Sequence, residues 1–259
     1  MNKQIANWQG KHVWIVGASS GIGEALAKLL LSKGAVLALS ARRAEPLGAI
    51  LSAATAEQAS AMHLILPLDT TIPEQLSAAH EQMRKEWPRL DVVVWLAGTY
   101  QAMRADALDL PVIHQTIAAN LTSVYNGLSV FLPTMIKQKS GIVTLVSSVA
   151  GYSGLPKALV YGPTKAALIN LAEVLYTDLK PHGISVYLVN PGFVATPLTA
   201  QNEFKMPALI TSEVAALEIV KGLEKGNFEI HFPKRFTRVL KVLRILPYRL
   251  YFALTKNLT

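Results

Sequence analysis

The chain alternates short, wholly apolar runs with longer segments of helical spacing, and few folds accept that pattern. Residues 12–16 (His-Val-Trp-Ile-Val) end at a glycine, and Ile22, Leu26, Leu29 and Leu30 then mark one face of a helix over 22–33. Further apolar runs at 35–40, 62–66, 91–96, 141–146, 184–189 and 227–231 are separated by helical stretches at 45–57, 73–86, across 105–138, 158–180 and 212–224. Strands that are apolar throughout must be covered on both faces, so the pattern predicts a parallel sheet between two layers of helices. Right-handed crossovers make it a doubly wound, Rossmann-like α/β sheet of about seven strands, with ligands at the strand C-termini. Function is then to be sought just past each strand.

Of the 259 residues, 51% are apolar and 16% charged, enough for a substantial core, and no linker divides the chain. We expect one domain over 1–231 with an extension over 232–259. Cysteine is absent, which excludes disulfides and thiolate metal sites, and the six histidines lack ligand spacing, so no metal is expected. The N-terminus has no apolar leader and no run approaches the roughly 18 residues of a membrane span, which gives a cytoplasmic address. Net charge is +8, yet seven basic residues and no acid lie in 234–259, leaving 18 basic against 17 acidic residues before it. Positive charge confined to a tail is not the footprint of a nucleic-acid binder.

The turn Gly17-Ala18-Ser19-Ser20-Gly21-Ile22-Gly23 joins the first strand to the first helix. Glycines allow positive φ and close approach, and a helix N-terminus offers unpaired N–H groups to a pyrophosphate. The second strand ends Ser40-Ala41-Arg42-Arg43. An acid there would hold ribose hydroxyls, whereas a guanidinium suits a 2′-phosphate, so the reading is NADP (NADPH) over NAD. Asp69, after the third strand, could accept from an adenine amino group or serve as a turn. Ala97-Gly98, after the fourth, would let a ribose approach the backbone.

Tyr161 and Lys165 stand at i and i+4 and so share one helical face; Pro163 is tolerated in a first turn. A nearby ammonium favours the phenolate and should bring the phenol down from its usual value near 10. Ser148, after the fifth strand, can hydrogen-bond a carbonyl oxygen as charge develops on it, and Asn120 could hold a water linking the lysine to solvent.

Taken together these residues resemble the short-chain dehydrogenase/reductase family in its classical form, over about residues 10–231. Gly17, Gly21 and Gly23 match its cofactor turn, and Ala97-Gly98 part of its Asn-Asn-Ala-Gly segment. Asn120, Ser148, Tyr161 and Lys165 match its catalytic tetrad, and Pro191-Gly192-Phe193-Val194-Ala195-Thr196 the turn that holds the nicotinamide amide. The resemblance implies that NADPH delivers hydride to a carbonyl while Tyr161 gives the proton, Lys165 binds ribose hydroxyls and Ser148 orients the substrate. It also implies a homodimer or tetramer through the helices of 105–138 and 158–180, with a dimer favoured because a bulky tail could block one interface. Val16 stands where the family has threonine, and Trp95-Leu96 where it has two asparagines, which predicts altered bracing of the loops rather than lost catalysis.

The stretch 193–211, with Phe193, Leu198, Phe204, Met206, Pro207, Leu209 and Ile210, reads as a lid for an apolar substrate. In the tail, Val239, Leu240, Val242, Leu243, Ile245 and Leu246 interleave with Arg238, Lys241 and Arg244 before Pro247, and Tyr248, Leu250, Tyr251, Phe252 and Leu254 flank Arg249. A helix pair lying in an anionic membrane interface fits this pattern, as does docking on the chain's own body or a second subunit. Three functions stay open: a reductase of hydrophobic, lipid-like carbonyls, a 3-oxoacyl reductase, and an NADPH-sensing or scaffold protein on the same fold.

Overall fold

The computed structural model describes residues 2–52, 55, 61–202 and 206–255. Seven parallel strands form one sheet in the order β3-β2-β1-β4-β5-β6-β7. They are β1 (His12–Val16), β2 (Val36–Ser40), β3 (Leu64–Ile65), β4 (Val92–Trp95), β5 (Gly141–Val146), β6 (Ile184–Pro191) and β7 (Glu229–Phe232). The expected strand over 62–66 shrinks to two residues. Beyond it, Leu66 N and Leu68 N still donate to Leu39 O and Ala41 O, so the edge follows β2 without a regular ladder.

Side-chain alternation divides the core. Trp14, Val16, Val93, Trp95 and Val143 face one helix layer, and Val13, Ile15, Leu37, Leu39 and Val94 the other. The first layer holds α3 (Pro73–Glu86), α5 (Ser123–Gln138) and α6 (Tyr161–Leu179), which bury Leu76, Phe131 and Leu168. The second holds α1 (Gly21–Ser32), α2 (Glu45–Ser52) and α7 (Ser212–Lys225), burying Leu26, Leu47 and Ile219. The part of the expected 45–57 helix beyond Ser52 falls largely outside the described residues.

Helix boundaries follow local chemistry. Asp109 caps α4 (Leu110–Ile117) by accepting from Val112 N, and Thr211 caps α7 through Val214 N. Gly226 ends α7 in a left-handed conformation. Between α4 and α5 the chain makes one π-helical turn, Ala118–Thr122, which carries Asn120. The tail folds as two helices, α8 (Lys234–Arg244) and α9 (Tyr248–Thr255), broken at Pro247. Among the described residues no helix is long and apolar enough to cross a membrane.

Candidate active site

β1 lies between β2 and β4, so the chain reverses its direction of winding there and a crevice opens at the strand C-termini. The glycine turn fills one wall with no spare room. Gly17 has φ +96° and its missing Cβ would lie 2.7 Å from Ala97 N; Gly21 has φ +56° and would meet Thr196 Cγ2 at 2.8 Å. Ser20 stands at the N-cap of α1 in extended conformation and lends no side-chain cap, so the amides of the first turn face the crevice uncapped by Ser19 or Ser20.

The departures from the family's pattern show how the loops are braced instead. Val16 O accepts from both Leu96 N (2.8 Å) and Ala97 N (2.9 Å), and Ser40 O accepts from Gly17 N and Ala18 N. These main-chain bonds tie the glycine turn to the ends of β2 and β4. Trp95 is buried against Gly127, where a Cβ would stand 2.1 Å from its ring.

At the end of β2, Ser40 is fully buried and its hydroxyl accepts from Trp14 Nε1 at 2.9 Å, so it has turned away from the crevice. Arg42 and Arg43 are exposed beside it. Asp69 Oδ1 accepts from Thr71 N (2.9 Å) and Thr71 Oγ1 (2.7 Å). These bonds hold its carboxyl below the usual range, with the Arg42 charge adding to them. One oxygen of Asp69 is thus committed to a turn, and Arg42 faces the same carboxylate.

The four chemical residues converge. Tyr161 opens α6, and Ser148, in extended conformation after β5, hydrogen-bonds its phenol while accepting from Ala150 N at 3.1 Å. Lys165 is buried; its Nζ lies 5.5 Å from the Tyr161 ring centroid and donates to Val146 O at 3.2 Å. Asn120 is fully buried: Oδ1 accepts from Thr99 N (2.6 Å), and Nδ2 donates to Thr99 O (2.9 Å) and Thr164 Oγ1 (3.2 Å). A Cβ on Gly98 would meet Asn120 Oδ1 at 3.0 Å and Lys165 Nζ at 3.6 Å, so amide and ammonium flank the same glycine. The carboxamide is spent on bracing the Thr99 segment, and π-turns of this kind gather at functional sites.

The electrostatics correct one expectation. Burial pushes the Tyr161 phenol up to about 12, against the lowering hydrogen bond from Ser148, and the Lys165 ammonium over the ring does not bring it down. Burial lowers Lys165 from 10.5 to about 8. At neutral pH the pair is a neutral phenol beside a cation held at a desolvation penalty. Lysine is cationic in the fold only below about pH 8 and in the unfolded chain below about 10.5. The penalty is therefore complete below about pH 8 and vanishes as pH rises through about 10.5. Lys165→Met should raise unfolding stability at pH 7 by up to ~3 kcal/mol, trimmed by the donor lost to Val146 O. Urea unfolding at pH 7 and 10.5 checks this: the gain should shrink at the higher pH.

Around this centre the structure places Tyr100 and Gln201, which local sequence did not single out. The Tyr100 ring meets the Tyr161 ring edge-on at 5.0 Å, and Gln201 Nε2 donates to Tyr100 O at 2.7 Å, tying the 193–211 segment to the site. Val194 bridges to Ile210, and Thr196 N donates to Thr199 Oγ1 at 3.1 Å, so the two ends of this segment are held together. Gly192 N donates to Phe232 O at 2.7 Å, and Phe193 packs on Phe236 of α8 with ring centroids 5.6 Å apart. Phe204 lies outside the described residues, as does Lys256.

The family model for short chain dehydrogenase matches residues 11–206, and the chain belongs to that family. It is an NAD(P)-dependent oxidoreductase. It is 32% identical over 244 residues to an uncharacterized oxidoreductase of Myxococcus xanthus, covering 94% of this chain and 96% of that one. A short-chain dehydrogenase of Sphingobium yanoikuyae in complex with NADPH superposes with TM-score 0.78 at 25% identity, covering 88% and 92% of the two chains. One from Burkholderia phymatum in complex with NAD gives TM-score 0.82 at 21% identity, covering 92% and 94%, and speaks to the fold alone.

Proposed function

We propose that the protein is an NADPH-dependent reductase of hydrophobic carbonyl compounds, with Tyr161 as the proton donor. The observation that carries this reading is the convergence of Tyr161, Ser148, Lys165 and Asn120 beside a glycine turn that has no room for a side chain. A nicotinamide cofactor supplies the hydride when bound. The amides of Ser19–Gly23 would hold its pyrophosphate, Arg42 and Arg43 the 2′-phosphate, and Asp69 the adenine. Ala97-Gly98 would admit the ribose, Lys165 would bind its hydroxyls, and Pro191, Gly192, Val194 and Thr196 would hold the carboxamide. Tyr161, kept as a neutral phenol by burial, is suited to give a proton to a carbonyl oxygen. Ser148 orients that oxygen and Lys165 stabilises the charge left on the phenol.

The Tyr100 ring, edge-on to Tyr161 at 5.0 Å, gives the phenol an apolar neighbour, which favours a hydrophobic ketone or aldehyde. A 3-oxoacyl reductase would use its tail cations to receive an acidic carrier; Lys241 is held by Glu229 but Arg235, Arg238, Arg244 and Arg249 are exposed, so the range of carbonyls reduced decides that alternative. A second reading concerns the tail's outer face. Val239, Val242, Ile245, Tyr248 and Phe252 are exposed, Ile245 to 80%, among basic residues without an acid. That ridge supports peripheral contact with an anionic membrane surface, to be tested by co-sedimentation with anionic against zwitterionic vesicles. Exposed Tyr125 on α5 and Val174 on α6 support a homodimer through these helices, which sedimentation would test.

The deciding assay follows NADPH and NADH consumption over ketones and aldehydes of increasing chain length. We expect turnover with NADPH that rises with apolar size; no turnover of any carbonyl would sink the reading. In the same assay Arg42→Ala should lose ~10–100-fold in NADPH preference, the worth of a charge-assisted phosphate contact of ~1.5–3 kcal/mol, with NADH kinetics little changed.

A further inference from the structure

Beyond the tetrad, one carboxylate joins three distant parts of the chain. Glu229 Oε1, on β7, accepts from the Tyr152 hydroxyl at 2.5 Å and from Asn190 Nδ2 at 2.8 Å, and Oε2 accepts from Lys241 Nζ of α8. Tyr152 and Asn190 are buried, and Lys241 and Arg244 both lie 6.0 Å from the Tyr152 ring centroid. Burial alone would raise Glu229, but its bonds from Lys241, Tyr152 and Asn190 outweigh it and hold the carboxylate ionised.

What these partners adjoin gives the knot its meaning. Tyr152 ends the 3₁₀ turn Val149–Gly151 that begins at Ser148. That turn is wedged against α6: a Cβ on Gly151 would lie 2.6 Å from the carbonyl carbon of Lys165, and Ser147 Oγ donates to Lys165 O at 2.7 Å. On its other side Tyr152 anchors it to β7 through Glu229, while the Tyr251 hydroxyl of α9 donates to Gly154 O just beyond. Asn190 precedes Pro191-Gly192, and a Cβ on Gly192 would lie 3.0 Å from Phe236 of α8. The segment behind Ser148 and the strand end ahead of the Pro-Gly turn thus share a single acceptor.

We propose that Glu229, held by Lys241, is a positioning residue: it sets Ser148 and the Pro191–Thr196 turn relative to Lys165, so that the C-terminal extension completes the active site. The inference rests on the roles given above to Ser148 and that turn. Losing the ammonium frees the carboxylate from α8, and losing the phenol hydroxyl frees the Ser148 turn from the carboxylate. Neither change touches the crevice itself.

The test compares Lys241→Met, Lys241→Arg and Tyr152→Phe by hydrogen exchange of the protein alone and by kinetics. Lys241→Met and Tyr152→Phe should each speed amide exchange in 148–158 roughly tenfold, with α1 and β1 unchanged. Lys241→Met should also loosen 190–194. Both should lower kcat roughly 10–100-fold on the best carbonyl, as a small misplacement of a reacting group does, with NADPH affinity intact. Lys241→Arg should restore exchange and kcat together. Faster exchange confined to α8 and α9, with kcat retained, would overturn the proposal and leave the knot an anchor for the tail alone. If the wild-type protein turns over no carbonyl, the functional reading fails, and exchange in 148–158 still decides whether the brace exists.

Discussion

Tyr161→Phe should lower turnover by about 10²–10⁴-fold, the usual worth of a positioned general acid, and leave NADPH affinity within about twofold. The asymmetry follows from what the substitution removes. The ring keeps its edge-on contact with Tyr100 at 5.0 Å and its place under the Lys165 ammonium at 5.5 Å, so the crevice keeps its shape. Ser148 loses one partner but still accepts from Ala150 N. Only the proton is gone, that of a phenol which burial keeps neutral above neutral pH. Steady-state turnover and a cofactor titration on the same sample separate the cases. Turnover within tenfold of wild type would mean that Tyr161 is not the donor. Loss of cofactor affinity as well would mean that the hydroxyl shapes the binding site. A protein whose biological role is sensing NADPH would keep that role in this variant.

The sheet and the positions just past its strands were legible because they are written in local pattern. Apolar runs such as 141–146 mark strands buried on both faces, and residues after such strands line a crevice in any doubly wound sheet. Tyr161 and Lys165 were legible because a helix puts i and i+4 on one face. Their protonation was not. The balance between an attracting ammonium and a desolvating pocket depends on packing from α6, β5 and Tyr100, which no spacing encodes, and burial won. Asn120 was found as a residue but not as a brace for Thr99, since its π-turn interrupts a stretch that reads as continuous helix.

The tail shows the same limit more sharply. Its alternation of Lys and Arg with Val and Leu is visible in sequence, and it is the same whether the basic face meets lipid or folds inward. The structure splits it: Lys241 and Arg244 turn toward Glu229 and Tyr152, while Val239, Val242 and Ile245 stay outside. Glu229 carries no motif, and its partners are scattered in sequence, 77, 39 and 12 residues away at Tyr152, Asn190 and Lys241. Only tertiary packing brings them to one carboxylate.

Gly23→Ala should cost both the fold and the cofactor: roughly 1–3 kcal/mol or more of stability, the range for overpacking a close contact, and about a hundredfold in NADPH affinity, the worth of one charge-assisted bond or two. The added methyl would stand 2.0 Å from Gly17 O and 2.9 Å from Gly17 C. Main chain cannot swing aside as a flexible side chain does, and Gly17 has nowhere to go. Its N–H is held by Ser40 O at 2.8 Å, and its own Cα faces Ala97 N. Relief of the clash must therefore move α1 away from the turn or open β1 from β2 and β4. Either displaces the first-turn amides that the proposed phosphate site needs. Gly48→Ala on α2 is the matched control, because among the described residues its Cβ would meet only Ile65 Cδ1 at an ordinary 3.8 Å. That substitution should be neutral or stabilise by ~0.5–1 kcal/mol through helix propensity. Urea unfolding and NADPH titration of the two variants then separate a demand specific to the turn from a general intolerance of added methyls. If Gly23→Ala bound NADPH like the wild type, the turn would not be the phosphate cradle, and the cofactor's place at the β1–β4 crevice would have to be argued anew.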